Sequence, residues 1–261
     1  MNRYQRCIVE REELIRLEGD TSTMQNVCIK HLARLAAPLL GALIALAAPM
    51  PAHAQTYWSD NFDSYSTGTW TAGSTYGAYT LEWNGYGSAG IEADSTRTGH
   101  NAMFEKPEAS TSSSETHSAL ILRSGTMGAL NIIGWIDNIS QLRTGSSPNP
   151  WEVGWVLWHY TDNTHFYSFT LQTNGWVLAK EDPNYTGDQR FLASGSTPYA
   201  TIGTAYYYQI TQDSGGNIQV WVNGSEVVSF TDTERVYTSG QYGLYCEDSY
   251  VHFFGNYGDY Y

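Results

Sequence analysis

The sequence predicts an all-β fold, two antiparallel sheets packed as a sandwich or jelly roll, and three observations carry that reading. Short runs of aromatic and β-branched residues recur from residue 55 to the end. Clusters of Gly, Ser, Thr, Asn and Asp separate them at close intervals, the punctuation of tight turns. No amphipathic helical period appears after the first 54 residues.

In chain order, Asp60 and Asp63 flank an aromatic residue near the start, and Gly68 marks a turn. Strands are expected over residues 79–84, 88–93, 101–104 and 115–123, with a polar loop at 106–114. Residues 129–143 make one long strand, ended by the breaker at 145–150. The centre of the pattern is residues 151–182, where strands at 151–160, 165–172 and 176–181 are joined by turns at 161–164 and at Thr173-Asn174-Gly175. A meander this aromatic belongs in the body of a sheet, because edge strands are blunted with charge and proline. Residues 183–198 read as a long ordered loop on which Tyr185 and Phe191 fold back. Strands at 203–212, 217–222 and 226–231 follow, the last two joined by Asn223-Gly224, and 241–245 with 250–256 close the sheet. Asn223-Gly224-Ser225 also matches a glycosylation sequon, but the turn accounts for it.

Residues 1–54 read as a secretory leader. Lys30, His31 and Arg34 precede an apolar run over 35–48 and an Ala52-His53-Ala54 exit, so cleavage is expected after Ala54 and the protein outside the cytoplasm. The apolar run is too short for a membrane span. The stretch before Met24 is long for such a flank, which makes Met24 a candidate start. Residues 55–261 then form one domain, expected to be monomeric. They keep 7 of the 13 Lys and Arg but 21 of the 26 Asp and Glu, a net charge of −14, together with all nine tryptophans. That acidity argues against nucleic acid and anionic lipid as partners, and weakens the case for an acidic polysaccharide. Cys7 and Cys28 leave with the leader. Cys246 then stands alone in an apolar run, which points to packing, with the core or a metal replacing disulfides as the source of stability.

Several of these residues resemble the concanavalin A-like lectin/glucanase superfamily. They are Asp60-Asn61-Phe62-Asp63 at the start; His159-Tyr160-Thr161-Asp162-Asn163, Phe166-Tyr167, a glycine turn and Lys180 in the centre; and Gly243-Leu244-Tyr245 with Val251-His252-Phe253-Phe254 at the end. The resemblance covers most of residues 57–257 and implies a jelly roll with a concave, glycan-facing sheet. Laminin-G-like modules, glucanases, polysaccharide lyases and lectins share that fold, so it narrows architecture more than activity. The Glu-x-Asp-x-Glu strand of the family-16 glucanases is absent, as are the Arg-x-Glu-x-Arg and Gln-x-His strands of the alginate lyases; Gln141-Leu142-Arg143 is a faint echo of the first lyase strand. The resemblance also sets the first and last strands side by side. That would bring Asp60 and Asp63 to Asn256 and Asp259 and supply oxygens for a structural calcium. No organic cofactor is implied.

The expected partner is an extracellular polysaccharide. Hydrolysis of a glycosidic bond needs two carboxyl groups, one held protonated. Glu82, Glu92, Glu115, Glu152 and Glu181 are candidates, and Glu115 with Glu152 is the selected pair. A lyase needs a cation or amide against a uronate and a His or Tyr to take the proton. Gln141, Arg143, His117, His159, Tyr160, His165 and Tyr167 are available, although few basic residues remain to hold a polyuronate. Each of these side chains has an ordinary structural role open to it as well. Binding alone needs aromatic rings for sugar C–H faces and polar groups for hydroxyls. Alternation puts Trp151 and Trp155 on one face of their strand and Trp158 and Tyr160 on the other. The expected contacts are Trp158, Tyr160, Tyr167, Gln141 and Lys180. A hydrolase leads, with a polysaccharide lyase and a non-catalytic, lectin-like protein as alternatives.

Overall fold

The computed structural model describes residues 55–94 and 96–260. The leader and its cleavage site lie outside the described residues. In chain order the strands are β1 (Thr56–Asp60), β2 (Gly68–Thr69), β3 (Ser74–Tyr76), β4 (Tyr79–Trp83), β5 (Ser88–Ala93) and β6 (Asn101–Lys106). Then come β7 (Ser118–Arg123), β8 (Leu130–Gln141), β9 (Gly154–Asp162), β10 (His165–Gln172), β11 (Gly175–Glu181) and β12 (Gln189–Gly195). The last five are β13 (Ala205–Gln212), β14 (Asn217–Val222), β15 (Ser225–Thr231), β16 (Gln241–Glu247) and β17 (Ser249–Tyr260). No helix among the described residues is long and apolar enough to cross a membrane.

Two antiparallel sheets result. The first runs β15-β14-β13-β8-β17-β6-β5-β2, with β1 added along β17; the second runs β12-β11-β10-β9-β16-β7-β4-β3. The all-β sandwich expected from the sequence is present, and the aromatic meander β9–β11 lies inside the second sheet. The short strands β2 and β3 were not expected, and one longer element differs. The stretch expected to be a loop contains β12, which extends the meander by pairing with β11 from Trp176↔Gly195 to Glu181↔Gln189. Its polar composition hid it, because an edge strand needs only one well-formed partner and carries little apolar signal.

The core between the sheets follows from strand alternation. Ile132, Ile136, Tyr208 and Phe253 face inward from the first sheet, and Trp158, Tyr167, Leu178, Tyr242 and Leu244 from the second. Burying each large apolar side chain contributes about 1.5–3 kcal/mol. Trp158 also reaches across the core, donating its indole N–H to Gln212 Oε1 at 2.6 Å. Cys246 is free and fully buried in this core, as its apolar setting implied.

Two buried ionic networks tie loops to the sheets. In one, Arg143 donates from Nε to Glu152 Oε1 at 2.6 Å and from Nη2 to Asp248 Oδ2 at 3.0 Å, and bonds the carbonyls of Ser112 and Glu115. All three charged side chains are almost wholly buried. In the other, Lys180 Nζ contacts Asp232 Oδ2 and the carbonyls of Glu234 and Arg235, each at 2.7 Å. Removing one member of such a network leaves a buried charge without its partner. Arg143→Leu should therefore lower unfolding stability by about 3–5 kcal/mol in a denaturant titration. A loss of well under 1 kcal/mol would show that the network contributes little.

Candidate functional site

The two faces of the second sheet differ in kind. One belongs to the core. The other carries a separate apolar cluster of Leu120, Leu122, Leu157 and Tyr160, onto which Trp83, Trp155, Phe166 and Tyr245 pack. Register places these side chains in rungs that cross the strands. One rung reads Trp83–Leu120–Tyr245–Trp155–Thr170–Val177. Its neighbour reads Leu122–Gly243–Leu157–Ser168–Ala179–Phe191. Gly243 keeps that second rung low, since a Cβ there would lie 3.0 Å from Leu122 Cδ2 and 3.2 Å from Leu157 Cβ.

Over this floor lies a groove of about 240 Å³, walled by Trp83, Trp155, Tyr160, Phe166 and Tyr245. Trp155 meets Tyr245 edge-on with ring centroids 5.3 Å apart, and Tyr160 stacks on Phe166 at 5.7 Å. Hydrogen bonds fix the rings: Trp155 Nε1 donates to Trp151 O at 2.9 Å, Trp83 Nε1 to Ser118 Oγ at 3.2 Å, and Tyr160 Oη to Asn163 Oδ1 at 2.5 Å. Such rings pair an apolar face with a polar handle.

Two carboxyl groups share the groove, Glu181 and Glu247. Burial pushes the Glu247 carboxyl above its ordinary value, and the nearby Asp248 and Glu152 add to this against the opposing bond from Tyr245 Oη at 2.8 Å. Burial likewise raises Glu181, with Asp188 reinforcing and Gln189 opposing. Tyr160 is pushed up to about 12 by burial and by Glu82 and Asp162. The groove thus combines aromatic surface, hydrogen-bonding groups and two acids with some tendency to hold protons.

Of the candidates expected from sequence, Tyr160 and the acid Glu181 line this groove. Trp158 does not; it is a core residue, and the physical reason is a bulge. Trp158 and His159 of β9 together face the single Tyr242 of β16, with His159 in a left-handed conformation (φ 51°). The extra residue returns Tyr160 to the same face as Trp155 and Leu157. His159 donates from Nε2 to Gly128 O at 2.8 Å. Tyr167 and Lys180 are also buried on the core side, where Tyr167 Oη donates to Asp232 Oδ2 at 2.6 Å beside the Lys180 ammonium.

The selected acid pair lies elsewhere. Glu152 is buried against Arg143, and Glu115 is tied to the same guanidinium only through its backbone carbonyl. The Glu115 carboxylate accepts from Thr111 N at 2.7 Å, which holds it below its ordinary value, the reverse of what a proton donor needs. His117 bonds Glu108 O at 2.9 Å through Nδ1, and Gln141 Nε2 donates to Asn149 O at 2.8 Å. These groups organise loops. The acids missed from the sequence include Glu247, which sits one alternation beyond Tyr245 in a strand that extends past its expected end.

The proposed calcium ligands come together only in part. Asp60 pairs with Asn256 across β1 and β17 and accepts from Phe62 N and Tyr65 Oη. Asp63 accepts instead from Asn101 N and His100, and Asp259 stands opposite Tyr57, further along β1. No group of three or more His, Cys, Asp or Glu side chains among the described residues is arranged to hold a metal ion. The strand pairing brings Asp60 to Asn256, while Asp63 and Asp259 are engaged elsewhere.

No protein-family model matches the chain, and no curated protein matches it in sequence. Solved structures of similar shape include a carbohydrate-binding module (CBM66) from Bacillus subtilis, 14% identical with a TM-score of 0.49, the match covering 68% of this chain and 92% of that one. A protein of unknown function from Shewanella oneidensis is 13% identical with a TM-score of 0.49, covering 78% and 85%. A Bacillus subtilis protein of unknown function with a galectin-like fold is 10% identical at 0.46, covering 70% and 89%. Likenesses this distant assign neither function nor residue roles.

The groove acids give a pH signature. Folding raises the Glu247 carboxyl above its unfolded value, so the folded state binds the extra proton in the window just above pH 4.5. The stability this group contributes is full below that window and falls as pH rises through it. Glu247→Gln should flatten this part of a plot of melting temperature against pH, and an unchanged slope would contradict the assignment.

Proposed function

We propose that this protein binds carbohydrate in the groove on the outer face of its second sheet. The observation that carries the reading is the meeting of Trp83, Trp155 and Tyr245 with Glu181, Glu247, Gln189 and Asn163 over one apolar floor. Sugar rings offer apolar C–H faces to aromatic rings and hydroxyls to amides and carboxylates. The groove supplies both kinds of partner without opening the core. The sequence resemblance to a superfamily with a glycan-facing sheet points the same way, and the secretory leader expected over residues 1–54 suits an extracellular ligand.

A second reading adds glycoside hydrolysis, favoured by the two raised carboxyls in one groove. In that case Glu247 or Glu181 protonates the leaving oxygen, and the other acts as nucleophile or activates water. A lyase finds less support, because the Arg143 guanidinium and the Gln141 amide are engaged in loops.

Affinity electrophoresis against a panel of soluble polysaccharides tests the binding. Trp155→Ala should weaken retention about tenfold or more, whereas Trp135→Ala, on the outer face of the other sheet, should leave it unchanged. Equal retention of wild type and Trp155→Ala would overturn the assignment of the groove. Release of reducing ends, lost in Glu247→Gln or Glu181→Gln with binding retained, would establish hydrolysis; its absence leaves a binding protein.

A further inference from the structure

We infer that the ligand is a linear, non-anionic glycan, bound along its interior across the strands and not by a terminal sugar. This rests on the carbohydrate-binding reading above and concerns the same face.

Beside the first groove is a second depression of about 290 Å³, lined by Trp151, Thr170, Val177, Ala179 and Phe191 among others. The two share Trp155, Gln189 and Glu247 as a common wall, so they form one trough. Its ends are set by Trp83 on β4 and Phe191 on β12. Those strands are six positions apart in the sheet, a span of roughly 29 Å at the usual strand spacing. That length suits several sugar rings in file, far more than one terminal residue.

Aromatic surface continues along the whole trough. At its β12 end Phe191 is 67% exposed, with Ser168 and Thr170 between it and Trp155, and Trp151, whose carbonyl accepts from the Trp155 indole, is 42% exposed. Neither ring belongs to either apolar cluster, and both keep much of their surface open to solvent. Repeated ring-and-hydroxyl pairing along a line matches a repeating ligand.

Charge narrows the class. Among the residues lining the trough the ionisable acids are Glu181 and Glu247, and none is Lys, Arg or His. A uronate or sulfated chain would set its anions against these carboxyls with no cation in the trough to offset them. Neutral and amine-bearing chains meet no such penalty.

Calorimetry on the full chain tests this with β-glucan, xylan, mannan, galactan and glucosamine oligosaccharides from disaccharide to hexasaccharide, and an oligogalacturonate ladder as the anionic arm. Affinity should rise about tenfold or more from disaccharide to hexasaccharide for at least one non-anionic ladder. Borohydride reduction of the terminal sugar should change it by less than about twofold. Phe191→Ala combined with Trp151→Ala should remove the gain with length and leave the melting temperature as in wild type. A flat ladder, loss of binding on reduction, or preference for oligogalacturonate would overturn the inference while leaving the groove assignment intact. Failure of every ladder, or full binding by Trp155→Ala, would instead overturn the parent reading and the inference with it.

Discussion

A strand sends successive side chains to opposite faces only while its register holds, and in β9 the register slips once. Trp158 and His159 stand together against Tyr242, and everything on the open face beyond that point depends on the slip. Unbroken alternation would place Tyr160 with Trp158 in the core. The bulge turns it outward to stack on Phe166 and close one wall of the groove. Gly240 makes room for the bulge, because a Cβ at that position would lie 2.3 Å from the His159 carbonyl carbon. Trp158 fixes the inner side through its bond to Gln212 and its stack on Tyr167, with centroids 5.6 Å apart. A local backbone irregularity therefore divides a run of aromatic residues between core and surface.

Charge is divided just as sharply. Arg143 and Lys180 sit under the surface, each satisfied by carboxylate and carbonyl oxygens, and hold the loops that follow β8 and β15. Glu181 and Glu247 remain in the groove without a cationic partner of that kind, and burial raises both. An acid paired with a buried cation is a structural element; one raised by burial beside solvent and aromatic rings is free to meet a ligand. This difference in environment, more than residue type, separates the scaffold of the protein from its candidate site.

Much of the fold was legible because it is written in local signals. Strands β5, β10 and β14 coincide with their expected residues, and the Asn223-Gly224 turn joins β14 to β15 where sequence placed it. The site was less legible for physical reasons. Alternation separated Trp155 from Trp158 but could not say which of them faced the core, and the bulge broke the rule two residues later. Lys180 and Asp232 are far apart in the chain, so nothing local marked that lysine as a buried partner. Arg143 similarly draws Asp248, 105 residues further on, to the nearby Glu152, which turned an apparent catalytic set into a loop anchor. Glu247 could have been found by continuing the outward series Gly243, Tyr245 one step further along β16.

The open face of the second sheet as the ligand surface is the claim on which the functional account stands, and tryptophan indole N–H resonances report on it directly. During titration with a bound oligosaccharide, the Trp83 and Trp155 signals should move together and saturate, while those of Trp158 in the core and Trp135 on the opposite sheet stay in place. Movement of the Trp135 signal with those of Trp83 and Trp155 unchanged would put the ligand on the other sheet and contradict the account.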